Sequence, residues 1–245
     1  MQTDLSGASG PKGVGTGPKA ALYEHLKMAI LTMQLRPGDD LDEVALCEKF
    51  GLSRTPLREV FRALAGEGYI EIRSGRGARV SEMSHTTLRD FFLAAPMIYA
   101  AILRLAAVNA RPDQIAQLKD AQKRFREALR KGAPAARALA NTRFHEITGE
   151  MAGNVYLLPS FHRLLIDHAR IGMTFYQPQN NLMAGNLTSA ADQHDAIIAA
   201  IEARDADAAG HLADAHWQLS RGQIEMFVMP GPLDLPLGSL PKSNA

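Results

Sequence analysis

The sequence predicts a mainly α protein: an N-terminal winged helix-turn-helix joined to a C-terminal antiparallel all-α bundle of about six helices. Three observations carry that reading. From Lys19 to about Met83 the elements are short and charged, and they include the only clear strand pair. From His85 to Met229 the chain is rich in alanine and leucine, with helical periodicity and no strand signal. Glycine, serine and proline crowd residues 1–18 and the stretch from Pro230, leaving little there to bury. The expected division is a disordered arm at 1–18, the winged unit at 19–83, the helical unit at 84–229 and a disordered tail at 230–245.

The 245 residues are 46% hydrophobic, enough for one large core or two modest ones. No run of eighteen apolar residues occurs and no charged-then-apolar leader opens the chain, so a soluble, cytoplasmic protein without a membrane partner is expected. The formal net charge is only +1, so any footprint for a polyanion has to be local. Cys47 is the single cysteine and has no internal disulfide partner. Among Val44, Ala45 and Leu46 it reads as a small buried hydrophobe.

In the winged unit, Ala20 to Met33 reads as a helix closed by the turn Arg36-Pro37-Gly38-Asp39. Asp42 caps a short second helix to Phe50, and Gly51 ends it. Ser53 is the expected cap of the third, which places Pro56 at its third position, where the backbone N–H has no intrahelical acceptor. Leu57, Val60, Phe61 and Leu64 form its buried side. Gly66 and Gly68 stop it, Tyr69 to Ile72 reads as a strand, Ser74-Gly75-Arg76-Gly77 as a turn and Ala78 to Val80 as the return strand.

The third helix carries Arg54, Arg58 and Arg62 down its polar side. A solvated face is one account of such a lane. The other is a nucleic acid: Arg54 and Arg58 start the helix that follows a tight turn, where a recognition helix offers its N-terminal residues to the major groove. Guanidinium groups match guanine O6 and N7 in pairs. Arg62, one turn farther on, suits a phosphate, and Thr55 a phosphate or a thymine methyl. Arg76 between Gly75 and Gly77 allows close backbone approach at the wing. Six arginines between Arg54 and Arg79 face only Glu59, Glu67 and Glu71, a locally basic surface.

These residues also carry a family resemblance. Leu35-Arg36-Pro37-Gly38, Leu41-Asp42-Glu43, GLSRTPLREVFRALAGEGYIE from Gly51 and GRGARV from Gly75 resemble the DNA-binding domain of GntR-family bacterial transcription regulators. The resemblance implies that Arg54, Arg58 and the wing read the operator. Many relatives have a further arginine on the second helix, where this chain has Val44.

The helical unit suggests helices at about 87–110, 112–131, 134–151, 154–176, 188–204 and 206–228, with Pro112 and Pro134 in first turns and a kink at Pro96. Following a GntR-type domain, this pattern resembles the effector-binding and dimerising FCD domain of the FadR subfamily. Its informative feature is a set of histidines. Asn141 and His145 are four apart and share a helix face, and His194 and His216 each sit at inward spacing. His194 lies eleven residues before Asp205 and His216 eleven after, so an antiparallel hairpin brings them level. Imidazoles converging with an oxygen ligand are the makings of a divalent-metal site, zinc or nickel by ligand type. The resemblance implies the same four positions, with Asn141 standing where relatives often have aspartate. A metal-free polar pocket is the alternative.

Relatives that recognise organic acids commonly carry an arginine where this chain has Ala95, with Tyr99 one turn on. A carboxylate effector would then rely on the metal, the histidines or Tyr99, with Arg104 and Arg170 as further anion partners that otherwise read as surface residues. His25, His85, His162, His168 and His211 form no comparable constellation, and Trp217 is expected in packing or a dimer interface. The function expected is a regulator that binds a palindromic duplex operator as a homodimer and answers to a small molecule. The alternative is a metal-dependent hydrolase with a DNA-binding module, for which Glu146 and Glu150 are the nearby carboxylates, Glu146 rotated away from His145.

Overall fold

The computed structural model describes residues 17–75, 77–178 and 181–228, without the side chains at 174, 181, 182, 220 and 222–228. The expected disorder of the arm through residue 16 and of the tail, and the placement of Arg76, lie outside the described residues. The chain divides into two units between Thr87 and Leu88.

The first unit runs α1 (Pro18–Leu31), β1 (Asp40–Leu41), α2 (Glu43–Phe50), α3 (Arg54–Glu67), β2 (Ile70–Arg73) and β3 (Gly77–Val80). Helix α1 starts two residues earlier than expected, since Pro18 fits a first turn where no backbone donor is needed. Asp42 caps α2 by accepting from the Val44 and Ala45 N–H groups. Gly51 then closes the helix at φ 62°, a left-handed conformation that a Cβ would strain. Ser53 holds the N-cap position of α3 without a side-chain capping bond, contrary to expectation. Gly66 lies inside α3, and Gly68 alone closes it. Cys47 is half-buried, on a helix with no fully buried residue.

Leu57, Val60, Phe61 and Leu64 of α3 are buried together with Leu22, Leu26 and Ile30 of α1 and Ile70, Ala78 and Val80 of the sheet. Each of these side chains except the small Ala78 contributes roughly 1.5–3 kcal/mol by leaving water. The sheet order is β1-β3-β2, all antiparallel. Strand β1 escaped the sequence reading, as Asp40 and Leu41 are too few to show alternation and pair with the distant Arg79 and Ala78.

The second unit consists of α4 (His85–Asn109), α5 (Pro112–Lys131), α6 (Pro134–Ala152), α7 (Leu158–Phe175), α8 (Asn181–Glu202) and α9 (Ala206–Val228), joined by short connections. Helix α7 starts four residues later than expected, because Asn154 Oδ1 accepts from Tyr156 and Leu157 N–H and holds that stretch as a turn. Helix α8 starts seven residues earlier. Helix α4 continues on both sides of Pro96. By length and mean hydropathy α4 is apolar enough to cross a membrane, yet Phe91, Ala95, Tyr99, Ile102 and Ala106 pack into the bundle. Arg204, at φ 59° between α8 and α9, donates to the Ala107, Val108 and Ala110 carbonyls and so satisfies the C-terminal end of α4.

Candidate DNA-contacting surface and histidine cluster

Arg54, Thr55, Arg58 and Arg62 are all exposed on α3, opposite its buried side. Arg58 Nε lies 3.9 Å from a carboxylate oxygen of Glu43, a loose contact that leaves the guanidinium available. Gly75 and Gly77 have φ 71° and 74°, so the wing tip needs glycine on both sides of position 76. The basic count of this surface is lower than the sequence suggested. Arg79 is engaged by Glu71 at 3.4 Å and Glu82 at 2.7 Å, and Arg73 approaches Asp40 at 4.0 Å. Val44, at the start of α2, is 56% exposed, so the surface there is apolar where a cation was expected in relatives.

In the second unit, α6 holds Asn141 and His145 one turn apart, α8 holds His194 and α9 holds His216, all four buried. One ligand atom from each histidine lies within 4.8 Å of those of the other two. The His194 and His216 rings, expected at one level, have centroids 4.7 Å apart. Three buried polar atoms of this cluster have no hydrogen-bond partner among the described residues: Asn141 Oδ1, His145 Nε2 and His194 Nε2. Leaving such atoms unpaired costs about 1–3 kcal/mol each, and their chemistry suits a cation or a hydrogen-bonding group.

Two glutamines set the imidazoles. Gln122 Nε2 donates to Ala191 O at 2.7 Å and to Asp195 Oδ1 at 2.9 Å, which turns Gln122 Oε1 onto His194 Nδ1 at 3.1 Å. His194 therefore carries its proton on Nδ1 and presents the Nε2 lone pair. Gln193 Oε1 faces His216 Nδ1 at 3.0 Å in the same way. Phe144 stacks flat on His194, its centroid 3.8 Å away. Burial, reinforced by the neighbouring histidines, holds His145 and His194 well below the usual imidazole range. Burial lowers His216 to about 3 and His168 to about 4. All four are neutral at pH 7, the form that ligates metal.

His168 was set aside in the sequence and belongs to this cluster. Its Nδ1 is 2.6 Å from the Tyr99 hydroxyl, and its ring centroid is 5.1 Å from that of His145. Leu164, Leu165 and Ile171 stand at helical spacing around it, an inward signal that was present. Trp217 is in packing as expected, against Phe91, Phe92 and Tyr99, yet it also borders a cavity of about 10 Å3 shared with Tyr99, His145, His168 and His216.

The four effector candidates separate. Tyr99 reaches the cluster, its ring edge-on to His145. Ala95 is fully buried one turn before it and lines neither histidine cavity. Arg104 lies on the α4–α9 seam, where a Cβ on Gly210 would meet its guanidinium at 2.5 Å. Arg170, expected at the surface, is only 1% exposed; Asp167 pairs with it at 3.0 Å and with Arg163 at 2.9 Å. Glu146 and Glu150 both pair with Arg143, at 3.2 and 2.8 Å. A wide groove of about 700 Å3 lies between α5 and α8, but Lys119 pairs there with Glu202, and Arg126 with Asp192 and Asp195.

Residues 18–80 match the family model for bacterial regulatory proteins of the gntR family, and residues 96–219 match the FCD domain. The chain belongs to the GntR family of bacterial regulators. This GntR-family chain is 30% identical to the HTH-type transcriptional repressor NanR of Citrobacter rodentium over 79% of its own length and 80% of that protein. It is 26% identical to the HTH-type transcriptional repressor RspR of Escherichia coli K12, covering 80% and 84% of the two chains. Among solved structures, E. coli McbR/YncC shares the fold at a TM-score of 0.73 and 19% identity, over 87% of this chain and all of that one. The GntR-family chain is thus a DNA-binding transcription regulator built from a winged helix-turn-helix and an FCD effector domain.

Proposed function

We propose that this regulator reads a palindromic operator as a homodimer, in the cytoplasm, and that a small carboxylate bound beside the histidine cluster modulates the reading. Arg54 and Arg58 would contact guanines, Arg62 and Thr55 the backbone, and Gly75-Arg76-Gly77 the adjacent groove. The observation that carries the first part is the exposure of Arg54 and Arg58 one turn apart at the start of α3, backed by a wholly buried opposite side. Selection of duplexes from a random pool by the full chain tests it. Enrichment of inverted half-sites containing guanine supports the reading, and recovery of unrelated sequences opposes it.

A divalent ion, zinc or nickel, fits the second unit, with Asn141, His145, His194 and His216 as its holders. Support comes from the three unpaired polar atoms and from the glutamines that face His194 and His216 Nδ1. Such an ion would supply a Lewis-acid anchor for an effector oxygen. Tyr99 and His168 would border that effector. Because α4 carries Tyr99 and is continuous back to His85, a shift of Tyr99 is passed along one helix toward the linker at 81–84.

Dimerisation is supported by α4. Leu93 and Met97, 65% and 69% exposed, share a face with Val108 three turns on. The C-terminal end of α4 is tied to the α6–α7 corner by Asn109 donating to Ala152 O, and that corner exposes Val155 and Tyr156. A second copy would cover this apolar stripe, and one short recognition helix offers too few base contacts for a specific site on its own. We read the chain as a regulator and not a hydrolase: the carboxylates nearest His145 in sequence are committed to Arg143.

A further inference from the structure

We propose, resting on the reading of Arg58 as a guanine contact, that Glu43 is a positioning residue for DNA recognition. Its carboxylate sets Arg58 for the operator and holds that arginine back from the phosphates of other sequences.

Glu43 is the acidic residue in the first turn of α2, where the helix dipole favours a carboxylate. Asp42 caps the same helix through the Val44 and Ala45 N–H groups, so the start of α2 is fixed. From there the Glu43 side chain, only 22% exposed, reaches two elements at once. Its Oε2 lies 3.9 Å from Arg58 Nε on α3. Its Oε1 faces the wing, where a Cβ on Gly77 would lie 3.5 Å from it. One carboxylate thus borders both pieces of the unit expected to enter the DNA grooves. Arg54 is the internal contrast, since it has no ion pair among the described residues. Val44, exposed beside Glu43, brings no cation to offset the carboxylate.

An ion pair this long, with the Arg58 side chain 58% exposed, adds little to fold stability. Its consequences are for the freedom of Arg58 and for charge. A long guanidinium side chain loses rotamer freedom when it docks on a base, and a neighbour that already restricts it reduces that loss. The approach is through Nε, which leaves both Nη groups for guanine O6 and N7. On a sequence with no guanine in reach, the alternative for Arg58 is a phosphate. There Glu43 competes as an anion already in contact, and it repels the backbone as well. The same carboxylate therefore favours the matched sequence and disfavours the rest.

The test measures fluorescence anisotropy of the full-length chain on a duplex it selects and on a random duplex, over a range of salt concentrations. The proteins are the native chain, Glu43→Gln, Glu43→Asp, Arg58→Ala and the double variant Glu43→Gln with Arg58→Ala. Glu43→Gln keeps the size and removes the charge. It should tighten the random duplex by about three- to tenfold, steepen its log–log salt slope by about one, and leave the selected duplex within about threefold. Each guanine of the selected half-site is also replaced in turn by 7-deazaguanine, which lacks the N7 acceptor. At the guanine that Arg58→Ala no longer distinguishes, the native protein should lose about tenfold and Glu43→Gln about threefold or less. Glu43→Asp restores the charge and should return the random-duplex affinity and its salt slope to native values. Without Arg58, Glu43→Gln should tighten the random duplex by less than about twofold. Tightening of both duplexes by one factor, with or without Arg58, overturns the positioning role while sparing Arg58 as a base reader. Native behaviour of Glu43→Gln on both duplexes overturns it equally. If Arg58→Ala keeps the native preference at every guanine, the base contact itself is wrong and the role of Glu43 falls with it.

Discussion

Gln122 Oε1 lies 3.1 Å from His194 Nδ1, and Gln122 cannot turn its amide away without losing Ala191 O and Asp195. One glutamine on α5 thereby decides which nitrogen of a histidine on α8 is free to ligate. Gln122→Leu keeps the size and removes the acceptor. Ion affinity should fall by about 10–100-fold although every candidate ligand is still present. Calorimetric titration reads this, with circular dichroism to establish that the helices persist. Unchanged affinity would show that the Gln122–His194 bond has no part in metal binding.

Arg58 and Arg62 sit at different depths along α3, both exposed. Arg58→Ala should cost roughly 1–3 kcal/mol per half-site on selected DNA and relax preference at one guanine. Arg62→Ala should weaken selected and random duplexes alike and reduce the salt slope by about one. Equal losses on both kinds of DNA for both variants would contradict the assignment of roles.

The apo protein should weaken in mild acid. Burial lowers His216 to about 3 and His168 to about 4, against 6.5 in the unfolded chain. Between those values the unfolded chain binds protons that the native state refuses, so unfolding free energy falls as pH drops below 6.5 and is level above it. Each histidine contributes up to about 1.4 kcal/mol per pH unit in that window. Urea unfolding of chelator-stripped protein at pH 7.5, 6.0 and 5.0 reads the trend, and equal stability at all three would contradict the buried neutral cluster.

The exposed stripe of α4 yields a prediction about assembly. Leu93→Glu with Met97→Glu places like charges on the face proposed to meet a second copy, so light scattering should report monomers. Binding to a single half-site should survive while the palindromic site loses its advantage. A double variant that remains dimeric would move the interface elsewhere.

Most of the winged unit was legible because its punctuation is local. Asp42, Gly51 and Gly68 each act on neighbours within a few residues, and the buried positions of α3 repeat at helical spacing. Strand β1 was not, since its pairing with β3 spans a long stretch of sequence. In the helical unit the level placement of His194 and His216 followed from counting outward from Asp205. Gln122 was invisible, because its role depends on α5 lying against α8 and no spacing within either helix records that. Arg170 misled through its charge: Asp167, three residues before it, was the available sign that the guanidinium could be buried.

The most direct test of the account couples the two units. Fluorescence anisotropy on a duplex selected by the full chain should be measured for chelator-stripped protein, for protein with zinc and lactate together, and for His194→Ala under both conditions. The account predicts that zinc with lactate changes the native protein's affinity for that duplex by at least about fivefold, in either direction, and that His194→Ala abolishes the change. Identical affinity of the native protein in both conditions, with His194→Ala indistinguishable from it, would contradict control of DNA binding by the histidine cluster.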